Sequence, residues 1–143
     1  MARKVTDMSK DKINVLIVDD FEMVRMMLKN ALNGIGIKNI TEATNGKQAK
    51  DMVLEKLNSG AKFDIIFSDW NMPEMDGLEF LKFCKGHDQI KKTPFVMVTA
   101  ESESSFIMEA VRAGADDYLV KPFSPMLIDK KLSRFFGNEA KAI

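Results

Sequence analysis

The chain has 143 residues, which sets one domain as the expectation, and 45% hydrophobic residues suffice for a buried core. Its 21 basic and 21 acidic side chains cancel, which argues against a nucleic-acid-binding domain. The single cysteine, Cys84, rules out an internal disulfide and favours a reducing, cytoplasmic setting, while no apolar run approaches the length of a membrane span.

Residues 1–12 are polar and start basic without the apolar stretch of a secretory signal, so they read as a short flexible extension. Strand and helix then alternate five times. Val15-Leu16-Ile17-Val18 is short, apolar and β-branched, the pattern of a strand covered on both faces. Val24, Met27, Leu28, Ala31 and Leu32 follow at helical spacing, with Arg25 and Lys29 on the other face and Asn33-Gly34 ending the helix. A weaker strand lies near Ile40. Asn45-Gly46 turns into a helix carrying Ala49, Met52, Val53 and Leu57, closed by Asn58-Ser59-Gly60.

The third strand reads as Phe63 to Ser68. A loop from Asp69 to Asp76 leads to Gly77 and a helix with Leu78, Leu81 and Phe83 or Cys84. Pro94 opens the fourth strand, where proline is tolerated. The next helix carries Ile107, Ala110 and Val111 and stops at Gly114. Tyr118-Leu119-Val120 is the fifth strand. Ser124-Pro125 then starts a helix with Ile128, Leu132 and Phe135, ending at Gly137. This alternation implies right-handed βαβ units, a parallel sheet and helices on both faces. The domain is expected over residues 13–137, with 138–143 a short tail and no output domain.

Four strand ends carry the candidate chemistry: Asp19 and Asp20, Asp69, Thr99 and Lys121. Side chains just past the C-terminal ends of parallel strands line the crevice where open α/β sheets bind ligands. Three crowded carboxylates repel, and a divalent cation removes that cost. Oxygen-only ligation selects a hard ion such as Mg²⁺. Asp69, at the end of the central run, has the best claim as a carboxylate nucleophile. Lys121 would neutralise phosphoryl oxygens, and Thr99 would donate a hydrogen bond to one. Taken singly, each residue has a plainer explanation as a turn residue, a β-former or a solvated cation. Their coincidence at successive strand ends outweighs it. His87 reads as a surface residue, Cys84 as a small buried hydrophobe, and Trp70 as partly buried at the rim of the site.

The segments Val18-Asp19-Asp20-Phe21, Ser68-Asp69-Trp70-Asn71-Met72-Pro73-Glu74-Met75-Asp76-Gly77, Met97-Val98-Thr99-Ala100-Glu101 and Tyr118-Leu119-Val120-Lys121-Pro122-Phe123 resemble receiver domains of two-component response regulators. More narrowly the chain is similar to the single-domain receivers of chemotaxis, from about Ile13 to Phe136. The resemblance implies a flavodoxin-like (βα)5 domain with a five-stranded parallel sheet in the order 2-1-3-4-5. It implies Asp69 as phospho-acceptor, Thr99 and Lys121 as the phosphoryl-contacting pair, and Mg²⁺ held by Asp19, Asp20, Asp69 and the backbone carbonyl of Asn71. It also implies a cis Lys121–Pro122 bond and a Tyr118 that swings inward on activation. Asn71 and Glu101 occupy the positions that tune loss of phosphate. Ile107, Tyr118 and Lys131 become candidate contacts on the partner face.

The implied role is that of a switch, catalysing only its own phosphoryl transfer and autodephosphorylation. The implied partners are a chemotaxis-type histidine kinase, a flagellar motor switch protein and a possible dedicated phosphatase, with the chain itself a monomer. A stand-alone receiver in a phosphorelay, or one controlling a non-flagellar target, is the alternative. A haloacid-dehalogenase-type phosphatase uses a similar inventory, but its nucleophile precedes the acidic pair and is followed two residues on by a second Asp. Here the pair comes first, and that position is Asn71. The departures from the family pattern are the N-terminal extension, Asp116-Asp117, and Ser102 to Ser105 with Phe106 opening the fourth helix.

Overall fold

The computed structural model describes residues 10–100 and 103–136. Strands β1 (Asn14–Val18), β2 (Asn39–Ala43), β3 (Ile65–Ser68), β4 (Phe95–Thr99) and β5 (Asp117–Val120) alternate with helices α1 (Glu22–Gly34), α2 (Gly46–Asn58), α3 (Gly77–Gly86), α4 (Ser104–Arg112) and α5 (Pro125–Phe136). All strand pairs are parallel and the order is β2-β1-β3-β4-β5, the flavodoxin-like order expected. Lys10–Lys12, assigned to the extension on sequence grounds, form a 3-10 turn. The Asp11 carbonyl of that turn accepts a hydrogen bond from the Asn39 side chain at 2.7 Å.

The apolar runs are long enough to feed two cores because side chains alternate along a strand. Val15, Ile17, Ile65, Phe67, Val96, Val98 and Leu119 face α1 and α5, meeting Leu28, Leu32, Ile128 and Leu132. Leu16, Val18, Ile66, Phe95 and Met97 face the other way, meeting Val53, Phe80, Leu81, Cys84 and Ala110. Every residue of β3 and β4 is buried, which places the central strands between two dry layers.

Helix starts follow local chemistry. Asn45 caps α2 by accepting the Gln48 N–H at 2.8 Å, and Ser124 accepts the Leu127 N–H at 3.2 Å. Asp76 and Glu79 form a reciprocal capping box at α3, readable in the sequence as an acid three residues before a glutamate.

Several periodicity readings are corrected. Arg25 does not point away from the domain; it turns inward to pair with Glu42 at 2.9 Å. α1 ends at Gly34, as Asn33-Gly34 signals, but the left-handed conformation falls on Gly36, with φ +100°. Phe80 and Phe136 are buried core residues that helical spacing passed over, and Val111 is 56% exposed. Trp70 is buried in the second core and not at a rim. Phase alone misjudges these positions because it locates a stripe but not which neighbour meets its edge.

Candidate functional site

The sheet edge at the C-terminal strand ends is where ladder bonding runs out and functional side chains begin. The Asp19 N–H donates to the Ala43 carbonyl at 3.1 Å, the Asp69 N–H to Val18 at 2.8 Å and the Lys121 N–H to Thr99 at 2.9 Å. Each of these residues therefore has its backbone set by the last rung of a ladder while its side chain is free to leave the sheet. Because the strands are parallel, all of them leave at the same edge.

Carboxylate oxygens of Asp19, Asp20 and Asp69 lie within 4.8 Å of one another. Asp19 and Asp69 are buried, and Asp20 is exposed. Both neighbours reach the cluster because β1 ends at Val18, so the alternation of a strand no longer binds them. Asp19 Oδ1 accepts the Phe21 N–H at 2.9 Å, and its Oδ2 accepts Lys121 Nζ at 2.8 Å. Asp69 Oδ1 accepts the Trp70 N–H at 2.7 Å, and its Oδ2 lies 3.3 Å from Lys121 Nζ. One ammonium thus serves two buried carboxylates. Burial pushes the Asp69 carboxyl above the ordinary carboxylate range and the Asp19 charge adds to this; Lys121 and the Trp70 N–H pull it back only in part.

That surplus of negative charge, presented by oxygen donors alone, fits a hard divalent cation. The exposed Asp20 leaves the cluster open to solvent on one side. Asp19, Asp20 and Asp69 are the residues positioned to hold such an ion. Asn71 is exposed in the β3–α3 loop, two residues past Asp69.

Thr99 is buried at the end of β4, opposite Val120 in register. Tyr118 is half-buried in β5 and packs against the second core. Ile107 is half-buried on α4. Lys131 is tied to Asp117 at 2.9 Å, with Arg134 reaching the other Asp117 oxygen at 2.9 Å, so this part of the expected partner face is internally paired. The Lys121–Pro122 bond is cis. Glu101, expected to tune phosphate loss, lies outside the described residues.

Three contributors were given no role at the site from the sequence. Arg25 Nη1 donates to the Asp19 carbonyl at 2.8 Å while Glu42 holds the same guanidinium, so the strand-end aspartate is braced from α1 and β2 together. The hydrogen bond from Lys29, reinforced by Arg25, outweighs burial and holds the Glu42 carboxyl below the usual range. No local signal marks Arg25, since its partners are brought to it by the sheet. Gly77 is the second: a Cβ there would lie 1.9 Å from the Asp69 carbonyl oxygen. The Asp76-Gly77 pair after the acid-bearing loop was the available signal. Trp70 is the third, placed against the acceptor by its N–H and into the core by its ring.

The response regulator receiver domain family matches residues 15–133. Chemotaxis protein CheY of Pseudomonas aeruginosa is 40% identical over 124 residues, covering 87% of this chain and 96% of the relative. Chemotaxis protein CheY1 of Helicobacter pylori is 35% identical over 126 residues, covering 88% and 98%. The solved structure of CheY4 from Vibrio cholerae has a TM-score of 0.76 at 36% identity, covering 86% of this chain and 98% of that one. Family match, relatives and sheet order agree, and the chain belongs to the response regulator receiver domains, the signalling switches of two-component systems.

Proposed function

We propose that this receiver is a chemotaxis response regulator in which Asp69 accepts a phosphoryl group from a histidine kinase and the modified protein signals to the flagellar motor switch. The observation that carries the reading is the acid cluster at Asp69 with one ammonium, Lys121, shared between Asp19 and Asp69. The similarity to chemotaxis proteins of Pseudomonas aeruginosa and Helicobacter pylori supports the chemotaxis assignment.

In the transfer, an Asp69 carboxylate oxygen supplies the electron pair of the new P–O bond. The P–N bond of the donor phosphohistidine breaks, its electron pair staying on the imidazole nitrogen, which takes up a proton. The Trp70 N–H holds Asp69 Oδ1, which orients the carboxylate before attack. Lys121 stands where charge builds on the phosphoryl oxygens. Mg²⁺ held by Asp19, Asp20, Asp69 and the Asn71 carbonyl would supply electrostatic stabilisation of the same charge.

The product carries roughly two negative charges and strong acceptors. Thr99, at the end of β4, is placed to answer it with a hydroxyl donor, and Tyr118 lies on the neighbouring strand. A shift of Thr99 that makes room for Tyr118 would remodel the α4–β5–α5 face. A nearly complete switch needs about 5 kcal/mol of differential stabilisation, within reach of several charge-assisted hydrogen bonds.

The test is intact-mass spectrometry after incubation with acetyl phosphate and Mg²⁺. The parent gains one phosphoryl group, and Asp69→Asn gains none. An Asp69→Asn variant that gains the group like the parent refutes the acceptor assignment. Binding of the phosphorylated parent to a flagellar switch peptide supports the chemotaxis output. Transfer of its phosphoryl group to another histidine domain instead identifies a phosphorelay member.

A further inference from the structure

The acceptor is connected to α4 by a contact separate from Thr99 and Tyr118. The Trp70 ring meets the Phe106 ring edge-on, with centroids 5.4 Å apart and planes at 87°. Edge-to-face is the geometry aromatic quadrupoles favour. Phe106 lies in the first turn of α4, whose one fully buried residue is Ala110. A helix so lightly embedded depends on its half-buried side chains for its place, and Phe106 is the one that reaches the acceptor's neighbour.

Trp70 is held from three directions. Its N–H donates to Asp69 Oδ1 at 2.7 Å, its carbonyl accepts the Gly77 N–H at 2.7 Å, and its ring abuts Phe106. Gly77 closes against the Asp69 carbonyl and the Trp70 backbone so tightly that no Cβ fits. The Trp70 backbone therefore has little room to move unless its ring also moves. Through these contacts, a displacement of the α4 first turn would act on the hydrogen bond that orients Asp69, and a change at Asp69 would act on α4. Such coupling is reciprocal by linkage.

We infer that Phe106 is a positioning residue for the acceptor: through Trp70 it sets the Asp69 carboxylate and ties the first turn of α4 to that carboxylate's state. The inference rests on Asp69 as phospho-acceptor. It adds a second route from the acceptor to α4, carried by an aromatic pair that a polar residue at 106 could not form.

The experiment uses the full chain with acetyl phosphate and Mg²⁺ and follows phosphorylation by intact mass over a range of donor concentrations. Phe106→Leu keeps apolar bulk but removes the ring edge, and Phe106→Tyr keeps the ring. Phe106→Leu is expected to lower the limiting rate about three- to tenfold with the half-saturating donor concentration unchanged, and Phe106→Tyr to restore it. Trp70 emission should shift in Phe106→Leu and match the parent in Phe106→Tyr. A Phe106→Leu variant that loses stability in urea but phosphorylates at the parent rate overturns the inference, because the ring is then only packing. If the parent itself takes no phosphoryl group, the functional reading fails, and an Asp69→Ala, Phe106→Leu double-mutant cycle in urea decides the inference separately. Folding equilibrium constants that multiply independently overturn it, and non-multiplying constants support it.

Discussion

At the scale of single residues, the site is a problem of charge. Three carboxylates face one ammonium, and two of those carboxylates are buried. Lys121 is consequently a structural requirement before it is a chemical one. Lys121→Ala is expected to cost about 3 kcal/mol, since removing one partner strands buried charge. Mg²⁺ should recover part of that loss, because an ion that binds only the folded state stabilises it by mass action. Thermal denaturation of both proteins with and without Mg²⁺ checks this: the variant's midpoint should rise more than the parent's. Asp19, Asp20, Asp69, Thr99 and Lys121 were all legible in the sequence because each lies within two residues of the end of a short apolar run. Arg25 was not, because its role is defined by Glu42 and the Asp19 carbonyl, which the fold brings to it.

At the scale of elements, the contacts that tie strands to helices decide rigidity. β5 and α5 are joined by Asp117, which Lys131 and Arg134 bind together. Burial raises the Asp117 carboxyl, but hydrogen bonds from Lys131, the Tyr118 N–H and Arg134 outweigh it and leave it below the ordinary value. The folded state thus binds protons less tightly than the unfolded chain. Its stabilising effect is present above the unfolded value near 3.8 and is lost as pH falls through the folded value. Asp117→Asn should cost about 1–2 kcal/mol at neutral pH after allowing for the solvent around Arg134. The difference from the parent should close in strong acid, as measured by urea unfolding across pH. Glycines divide in the same local way. Gly34→Ala meets nothing within 4 Å and should stabilise by about 0.5–1 kcal/mol. Gly77→Ala collides with the Asp69 carbonyl and should cost about 3 kcal/mol or more. Calorimetry on the pair reads both signs. Asn33-Gly34 does end α1, and the left-handed backbone falls two residues later, at Gly36, before the chain enters β2.

At the scale of the molecule, two cores share one sheet, so the same buried strands anchor both layers of helices. Cys84 reports on this. Burial pushes its thiol up to about 12, and it lies in the core of α3. Alkylation of Cys84 is therefore expected to proceed only as fast as global unfolding, coinciding in urea with loss of far-UV circular dichroism. Labelling well below the unfolding transition would mean that α3 opens alone. Among the described residues, no helix is long and apolar enough to cross a membrane. The sequence pattern by itself determined the number and parallel polarity of the strands and the strand-end inventory, while the sheet order came from the resemblance to receiver domains. Alternation of short β-branched runs with amphipathic helices allows few other topologies, and parallel strands collect their C-terminal ends on one edge. Only the tertiary structure decided that Arg25 turns inward, that Trp70 is core, and that Phe106 meets it. Those outcomes depend on distances between residues remote in the chain, which periodicity does not encode.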